Sequence, residues 1–292
     1  MISVRRMRDE DADRAAQILV AAFAQVYRQR GHVPPFPNVE SAAWLCRAYL
    51  DLDPEGCAVA ENGGVPVGVG FVHPRGPAAS VGPLAARPGG PRGVGRALMS
   101  HLSRLTAGCR SVRLFQDGFN PDSFGLYTQL GYVVRDVAPY LLASDLTPPA
   151  GPVPDVRPLE TRDLPRVEEL DRRLVHADRA RDLALLASTG SGLVLERRGV
   201  LEGFLFFRAL PARAIVGPAV ATSDEALSAL IDAATQALPG RPAVMRASGA
   251  SVAVLRRAFA RGFRDDHLGN LMVAGEIQLP PAQLYALFPE SL

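Results

Sequence analysis

Two stretches in the first half of the chain have residue types and spacing that could do chemistry. The first runs from Ala78 to Met99. It opens as an apolar strand, Val81-Gly82-Pro83-Leu84-Ala85-Ala86, passes glycines at 89, 90, 93 and 95, and continues into a helical pattern at Arg96-Ala97-Leu98-Met99. A strand feeding a glycine-rich turn and then a helix N-terminus is a device for holding phosphate. The first helical turn has unpaired N–H groups and the positive end of the macrodipole, and glycine lets an anion approach the backbone. Arg92 adds positive charge inside the turn. Two nucleotide motifs fail here: the dinucleotide fingerprint needs a small residue where Leu98 stands, and a Walker loop needs a lysine, which this chain lacks. The second stretch is Asn120 to Tyr132, in which Tyr127 could give up a phenolic proton. Its plainer reading is a ring packed under a sheet, with Asn120 and Ser123 capping a helix that starts at Pro121.

Both stretches resemble motifs of the GNAT acyltransferase family. Arg92-Gly93-Val94-Gly95-Arg96-Ala97 fits the second half of the acetyl-CoA loop, Gln/Arg-x-x-Gly-x-Gly/Ala. The first half departs: Gly90 stands where the family has Gln or Arg, and Pro91 removes an N–H. A lost buried donor to a pyrophosphate costs about 1–3 kcal/mol. Asn120-Pro121-Asp122-Ser123-Phe124-Gly125-Leu126-Tyr127-Thr128-Gln129-Leu130-Gly131-Tyr132 is similar to the family's Asn-x-x-Ser/Ala-x-x-Leu-Tyr-x-x-x-Gly-Phe signature.

The resemblance implies acetyl-CoA as co-substrate and direct attack by a primary amine. It implies a thioester near Leu84, Ala85 and Ala86, and a pyrophosphate on the amides of Gly89, Gly90, Arg92, Gly93, Val94, Gly95 and Arg96. Asn120 and Ser123 would lie beside the CoA arm, and Tyr127 would protonate the departing thiolate, work typically worth about 10²–10⁴-fold. The cofactor is expected in a V between the strands Val67–Val72 and Val81–Ala86. Neither strand carries a carboxylate, so the base is expected to be a water relay, with His73, read as a surface residue of a His-Pro turn, and Asp117 as side-chain candidates. No metal is implied. The competing reading is a non-catalytic acyl-CoA binding or regulatory module.

The elements that must position these residues are legible around them. A short strand over Val4–Arg8 precedes a helix from Ala12 to Arg28, and a second helix runs from Val39 to Leu52. Two β-like runs, Gly56–Glu61 and Val65–His73, are joined by the hairpin signal Asn62-Gly63-Gly64. After the glycine loop come a helix to about Thr106, a strand over Ser111–Phe115, a helix over Asn120–Leu130 and closing strands over Gly131–Leu141. That β-α-α-β-β-β-α-β-α-β order is the GNAT order.

At 292 residues, two domains of ordinary size are expected. The clearest boundary is the proline-rich run Pro148–Pro154, which divides a catalytic domain, 1–147, from a linker, 148–155, and a second domain with a C-terminal tail, 156–292. The second half repeats the first. Val156-Arg157-Pro158 echoes Val4-Arg5-Arg6, Val216-Gly217-Pro218-Ala219 echoes Val81-Gly82-Pro83-Leu84, and Ala258-Phe259-Ala260-Arg261-Gly262-Phe263 echoes Tyr127 to Tyr132. The copy has lost the chemical parts: Thr222-Ser223-Asp224-Glu225 replaces the glycine loop and Ala258 the tyrosine. His176, Asp178 and Arg179 read as a solvated helix face, with an acceptor site between the halves as the alternative. Leu284, Leu287 and Phe288 are expected to dock the tail on the body.

The fold class is therefore α/β (α+β): two tandem GNAT folds, each a mixed, mostly antiparallel sheet flanked by helices. Hydrophobic content of 48% and a net charge of +2 suit a globular chain and leave no basic surface demanding nucleic acid. No run of about 20 apolar residues points to a membrane span, the N-terminus is charged rather than signal-like, and Cys46, Cys57 and Cys109 lack metal-ligand spacing. The expectation is a cytoplasmic protein, monomeric through its internal pseudo-dimer or homodimeric, acting on a small-molecule or peptide amine.

Overall fold

The computed structural model describes Met1–Leu287, so Phe288 lies outside the described residues. Two compact units are present, Met1–Val133 with Val273–Gly275, and Val134–Met272 with Glu276 onward.

The first unit contains β1 (Ile2–Arg6), α1 (Ala12–Arg28), α2 (Val39–Leu52), β2 (Cys57–Asn62), β3 (Val65–Arg75), β4 (Ala78–Ala86), α3 (Val94–Leu102), β5 (Ser111–Asp117) and α4 (Pro121–Gln129). The strands lie in chain order. β1 to β4 are antiparallel, while β4 and β5 run parallel. Helices cover both faces of β3. Gly68 and Gly70 let α3 sit close, since a Cβ at Gly68 would fall 2.3 Å from Val94, while Phe71 on the other face meets Tyr49 of α2 edge-on at 5.1 Å. The helix after the glycine loop ends its α-helical part at Leu102 and tightens into a 3-10 turn over Ser103–Thr106.

The second unit contains β6 (Val133–Ala143), β7 (Val156–Pro158), α5 (Leu164–Val175), α6 (Ala180–Thr189), β8 (Ser191–Arg197), β9 (Val200–Ala209), β10 (Ala214–Ala221), α7 (Asp224–Ala237), β11 (Ala243–Ala247), α8 (Val252–Ala260), β12 (Arg264–Gly275) and β13 (Ala282–Tyr285). Its sheet order is β12-β6-β11-β13-β10-β9-β8-β7. Leu205, Leu227, Leu230, Ile231, Met245 and Phe263 are fully buried in its core.

The division falls earlier than the prolines suggest. Residues 134–147 belong to the second unit because β6 pairs with β11, from Ala143 opposite Ala243 to Tyr140 opposite Arg246, and Leu141, Ala143 and Leu146 enter that unit's core. The proline segment lies within this unit as well: the Gln236 amide donates to the Gly151 carbonyl at 2.7 Å. Conversely, Val273–Gly275 at the end of β12 count with the first unit. A composition break marks where the chain can be loose. Strand pairing decides where each stretch is buried.

Candidate functional site

β4 and β5 pair only at their beginnings, Ala78–Ser80 with Ser111–Arg113. Beyond Ser80 the two strands separate, and β4 runs on to Ala86 unpaired on that side. This is the V of the first unit, and its position corrects the one expected from sequence. β3 and β4 pair on both sides of a register break between Gly70 and Val72, from Gly68 opposite Ala86 to Arg75 opposite Ala78, so no cleft opens between them. The Arg87 N–H donates to the Val67 carbonyl, so by strand alternation Ala85 turns its backbone groups to β3, while those of Leu84 and Ala86 face the β5 side with no strand to satisfy them.

The end of β4 leads into the glycine loop. Gly89 and Gly93 both have positive φ, +68° and +88°, and Gly93 is the N-cap of α3. The first helical hydrogen bond is from the Ala97 N–H to the Gly93 carbonyl at 3.0 Å, leaving the N–H groups of Val94, Gly95 and Arg96 outside the helical ladder. The loop residues Gly89, Arg92 and Gly93 are exposed, whereas Val94 is buried against Gly68. A Cβ on Gly95 would meet Leu126 of α4 at 3.1 Å and Leu84 of β4 at 3.7 Å, so this glycine marks where loop, strand and α4 converge. The Arg96 guanidinium donates to Gln129 of α4 and so ties the two helices together. The donor set and the missing Cβ atoms suit a pyrophosphate.

Tyr127 of α4 is 8% exposed, and its hydroxyl has no hydrogen-bond partner among the described residues. Burial, with smaller contributions from Tyr132 and Asp117, raises its hydroxyl well above the ordinary tyrosine range, so it stays protonated at neutral pH. Asn120 and Ser123 form the expected cap: the Asn120 side chain accepts from the Ser123 N–H at 3.3 Å and the Ser123 hydroxyl donates to the Asn120 carbonyl at 3.0 Å. Gln116, which the sequence did not single out, completes the cap. It is 2% exposed and donates to the Asn120 carbonyl at 2.8 Å and to Ser123 Oγ at 3.1 Å.

The two base candidates separate. Asp117, at the open end of β5, accepts from the Tyr27 hydroxyl at 2.8 Å. His73, expected at a surface turn, is instead fully buried, because β3 continues through it to Arg75. Its Nδ1 lies 2.7 Å from Asp53 Oδ2, and the Arg75 guanidinium holds the same carboxylate at 2.7 and 3.0 Å. Burial opposes ionisation of Asp53, but His73 and Arg75 more than offset it and hold the carboxyl at about 2. His73 pairs with Ser80, where β4 and β5 are still joined, so it sits on the closed side of the V.

In the second unit the matching strands, β10 and β11, also begin parallel, Ala214–Ile215 with Ala243–Val244. There β13 fills the divergence, pairing Ala219 with Leu284 and Ala221 with Ala282 on one side and Arg246 with Tyr285 on the other. Where the first unit has its glycine N-cap, the Ser223 side chain caps α7 by accepting from the Ala226 N–H at 3.2 Å, and Ala258 is fully buried. A cavity of about 510 Å³ beside α7 is lined by Pro149, Pro152, Asp224, Glu225, Asp232 and Arg257. Leu284 docks as expected, though as a strand residue. Arg179 is not solvated: it is 3% exposed and paired with Asp171 at 2.9 Å. Among the described residues no helix is long and apolar enough to cross a membrane.

Residues 167–286 match a family model described as an acetyltransferase (GNAT) domain. The model thus covers the copy without the glycine loop. Among curated proteins none matches. A solved structure from Pyrococcus horikoshii, described as a candidate acetyltransferase, is 20% identical with a TM-score of 0.79, covering 99% of this chain and 95% of that one. A GCN5-related N-acetyltransferase from Sphaerobacter thermophilus is 15% identical with a TM-score of 0.64, covering 95% and 98%. A tandem GNAT protein from the clavulanic acid biosynthesis pathway is 16% identical with a TM-score of 0.61, covering 95% and 100%.

Proposed function

We propose, for a chain that carries a GNAT acetyltransferase domain and takes the GNAT fold along its length, that it is an acetyl-CoA-dependent N-acetyltransferase whose chemistry resides in the first unit. One observation carries this reading: β4 and β5 part beyond Ser80, and the glycine-capped start of α3 meets both β4, at Leu84, and α4, at Leu126, the residue before the buried Tyr127.

In this reading the pyrophosphate rests on the N–H groups of Val94, Gly95 and Arg96, with Arg92 beside it and the turn Gly89–Gly90 giving the backbone room. The unpaired edge at Leu84 and Ala86 offers N–H groups to the acyl arm, including the thioester oxygen, where fixed donors stabilise developing charge. Tyr127 supplies the proton that the leaving thiolate needs. Asn120 and Ser123 shape the start of α4 rather than acting through their side chains, which the cap already uses. The acceptor is a primary amine, small or peptide-borne, and a cytoplasmic setting supplies acetyl-CoA.

Calorimetric titration with acetyl-CoA tests the assignment. One site per chain, abolished by Gly93→Glu, is the expected result, followed by thiol release on adding amines. Two sites would assign a cofactor to the second unit as well, and no heat at millimolar ligand would overturn the assignment. Binding without thiol release from any amine would favour a non-catalytic acyl-CoA module.

A further inference from the structure

The cavity of about 510 Å³ beside α7 belongs wholly to the second unit. Small-molecule sites typically span about 300–1,000 Å³ and combine apolar walls with a few placed polar groups. Here the apolar walls are Pro149, Pro152 and Val153 of the proline segment, Ala229 of α7 and Ala253 of α8. The segment is tied to α7 by the Gln236 amide, which donates to the Gly151 carbonyl at 2.7 Å. A proline carries a carbonyl but no N–H, so this wall brings acceptors and ring surface and few donors.

The polar groups come mainly from one face of α7, where Asp224, Ser228 and Asp232 follow each other a turn apart. Ser228 is 8% exposed, lines the cavity, and has no hydrogen-bond partner among the described residues. A helical hydroxyl ordinarily satisfies itself on a carbonyl of the preceding turn, as Thr235 of the same helix does on Asp232 at 2.7 Å. Ser228 does not, which leaves its hydroxyl to the cavity. Asp224 accepts from the Ser251 hydroxyl through Oδ1 at 2.6 Å, and its Oδ2 accepts nothing among the described residues. The remaining charges of the lining are matched. Arg197 is held by Asp155, Glu202 and Glu225 at 3.3, 3.2 and 3.0 Å, and Asp232 lies between Arg257 and Arg261 at 3.1 and 2.6 Å. Asp224 is thus a lining carboxylate with no cationic partner among the described residues.

We propose that this cavity is a binding site for a primary alkylammonium ligand, its nitrogen held by Asp224 Oδ2 and Ser228 Oγ and its carbon chain laid against the prolines. The ligand must bring the donors, because the arginines of the lining are engaged and what is left over is a carboxylate oxygen, a hydroxyl and proline carbonyls. An anion would meet Asp224 and Glu225 and be repelled. A guanidinium forks onto both oxygens of a carboxylate, and one oxygen of Asp224 is taken; an ammonium, a compact group with three donors, needs only the other and can use Ser228 as its second acceptor. The site needs no acetyl-CoA and stands apart from the acetyl-transfer reading of the first unit.

Calorimetric titration of the full chain with hexylamine, in the absence of acetyl-CoA, tests the site. Wild type is expected to bind it. Hexyltrimethylammonium, which keeps charge and chain but has no N–H, should bind about tenfold more weakly, the scale of lost charge-assisted hydrogen bonds. Asp224→Asn keeps an acceptor for the Ser251 hydroxyl and should weaken hexylamine by about tenfold or more, and Ser228→Ala by about threefold. Ala253→Trp, at an exposed position of α8, should fill the cavity and abolish binding while the protein melts as wild type does. No heat with hexylamine at millimolar concentration would overturn the proposal. So would equal hexylamine affinity in wild type, Asp224→Asn and Ala253→Trp, which would put the amine elsewhere, or equal affinity for hexylamine and hexyltrimethylammonium.

Discussion

In the first unit Arg5 grips Asp11 with two hydrogen bonds, 2.6 and 2.8 Å, and reaches Glu61; in the second, Arg157 grips Asp163 at the same two distances and reaches Glu196. In both, the aspartate also accepts the backbone N–H three residues before it, at 2.8 Å from Arg8 and 2.9 Å from Glu160. Both central strands break register beside a Gly-Pro, between Gly70 and Val72 opposite it in one unit and between Val216 and Ala219 in the other. Correspondence this close stops at the divergence of the parallel strands. One unit leaves it open beside a glycine turn. The other closes it with β13 and caps the next helix with a serine. The scaffold and the open strand edge are therefore separable. Ion pairs and caps hold either copy together, while an open backbone edge is needed only where something must bind.

The largest expected effect tests the shared scaffold. Asp53→Asn in the first unit leaves buried Arg75 without its carboxylate, and Asp171→Asn does the same to Arg179 in the second. Each is expected to cost about 3–5 kcal/mol, read as loss of stability in denaturant unfolding. A similar loss in both would show equal structural dependence on such pairs; a loss in one alone would break the symmetry.

Next comes the chemistry. Tyr127→Phe is expected to lower turnover by about 10²-fold or more with acetyl-CoA affinity unchanged. Its counterpart Ala258→Tyr should add no activity and cost about 1–3 kcal/mol by overpacking a fully buried site. Gly95→Val should weaken acetyl-CoA binding by about tenfold through the loss of a close backbone approach, because the new side chain must displace Leu126 and stands over the open N–H groups.

The smallest effects sharpen the likeness. Arg5→Ala and Arg157→Ala should each cost about 0.5–1 kcal/mol, since both guanidinium groups are partly solvated. Asp163, through Arg157, and Asp53 each have a folded-state value of about 2, below the ordinary 3.8. A depressed carboxyl stabilises the fold fully above its ordinary value, so this contribution should vanish as pH falls from about 4 to 2. Thermal melts over that range, with Arg157→Ala showing the flatter profile, check the sign.

The sequence by itself determined most of the element order and the catalytic candidates. Periodicity placed α1 and α2 to the residue, and Asn62-Gly63-Gly64 set the β2–β3 hairpin. The glycine run and Asn120-Pro121 marked both helix starts, because caps and turns are local chemistry written in neighbouring residues. Restarting patterns exposed the repeat, and Ala258 already told of a missing hydroxyl. Tertiary structure alone decided which strands part and which strand fills the gap. Nothing in Ala282-Gln283-Leu284-Tyr285 says that it lies between β10 and β11, since pairing partners far apart in sequence are chosen by global register and burial. The same holds for β6, which leaves the copy that encodes it, and for His73, which a neighbouring proline made look like a turn residue. Tyr27 and Asp117, 90 residues apart, are joined only by folding. Local sequence sets the conformation of each segment; long-range packing decides which backbone edges and charged groups remain available to a ligand.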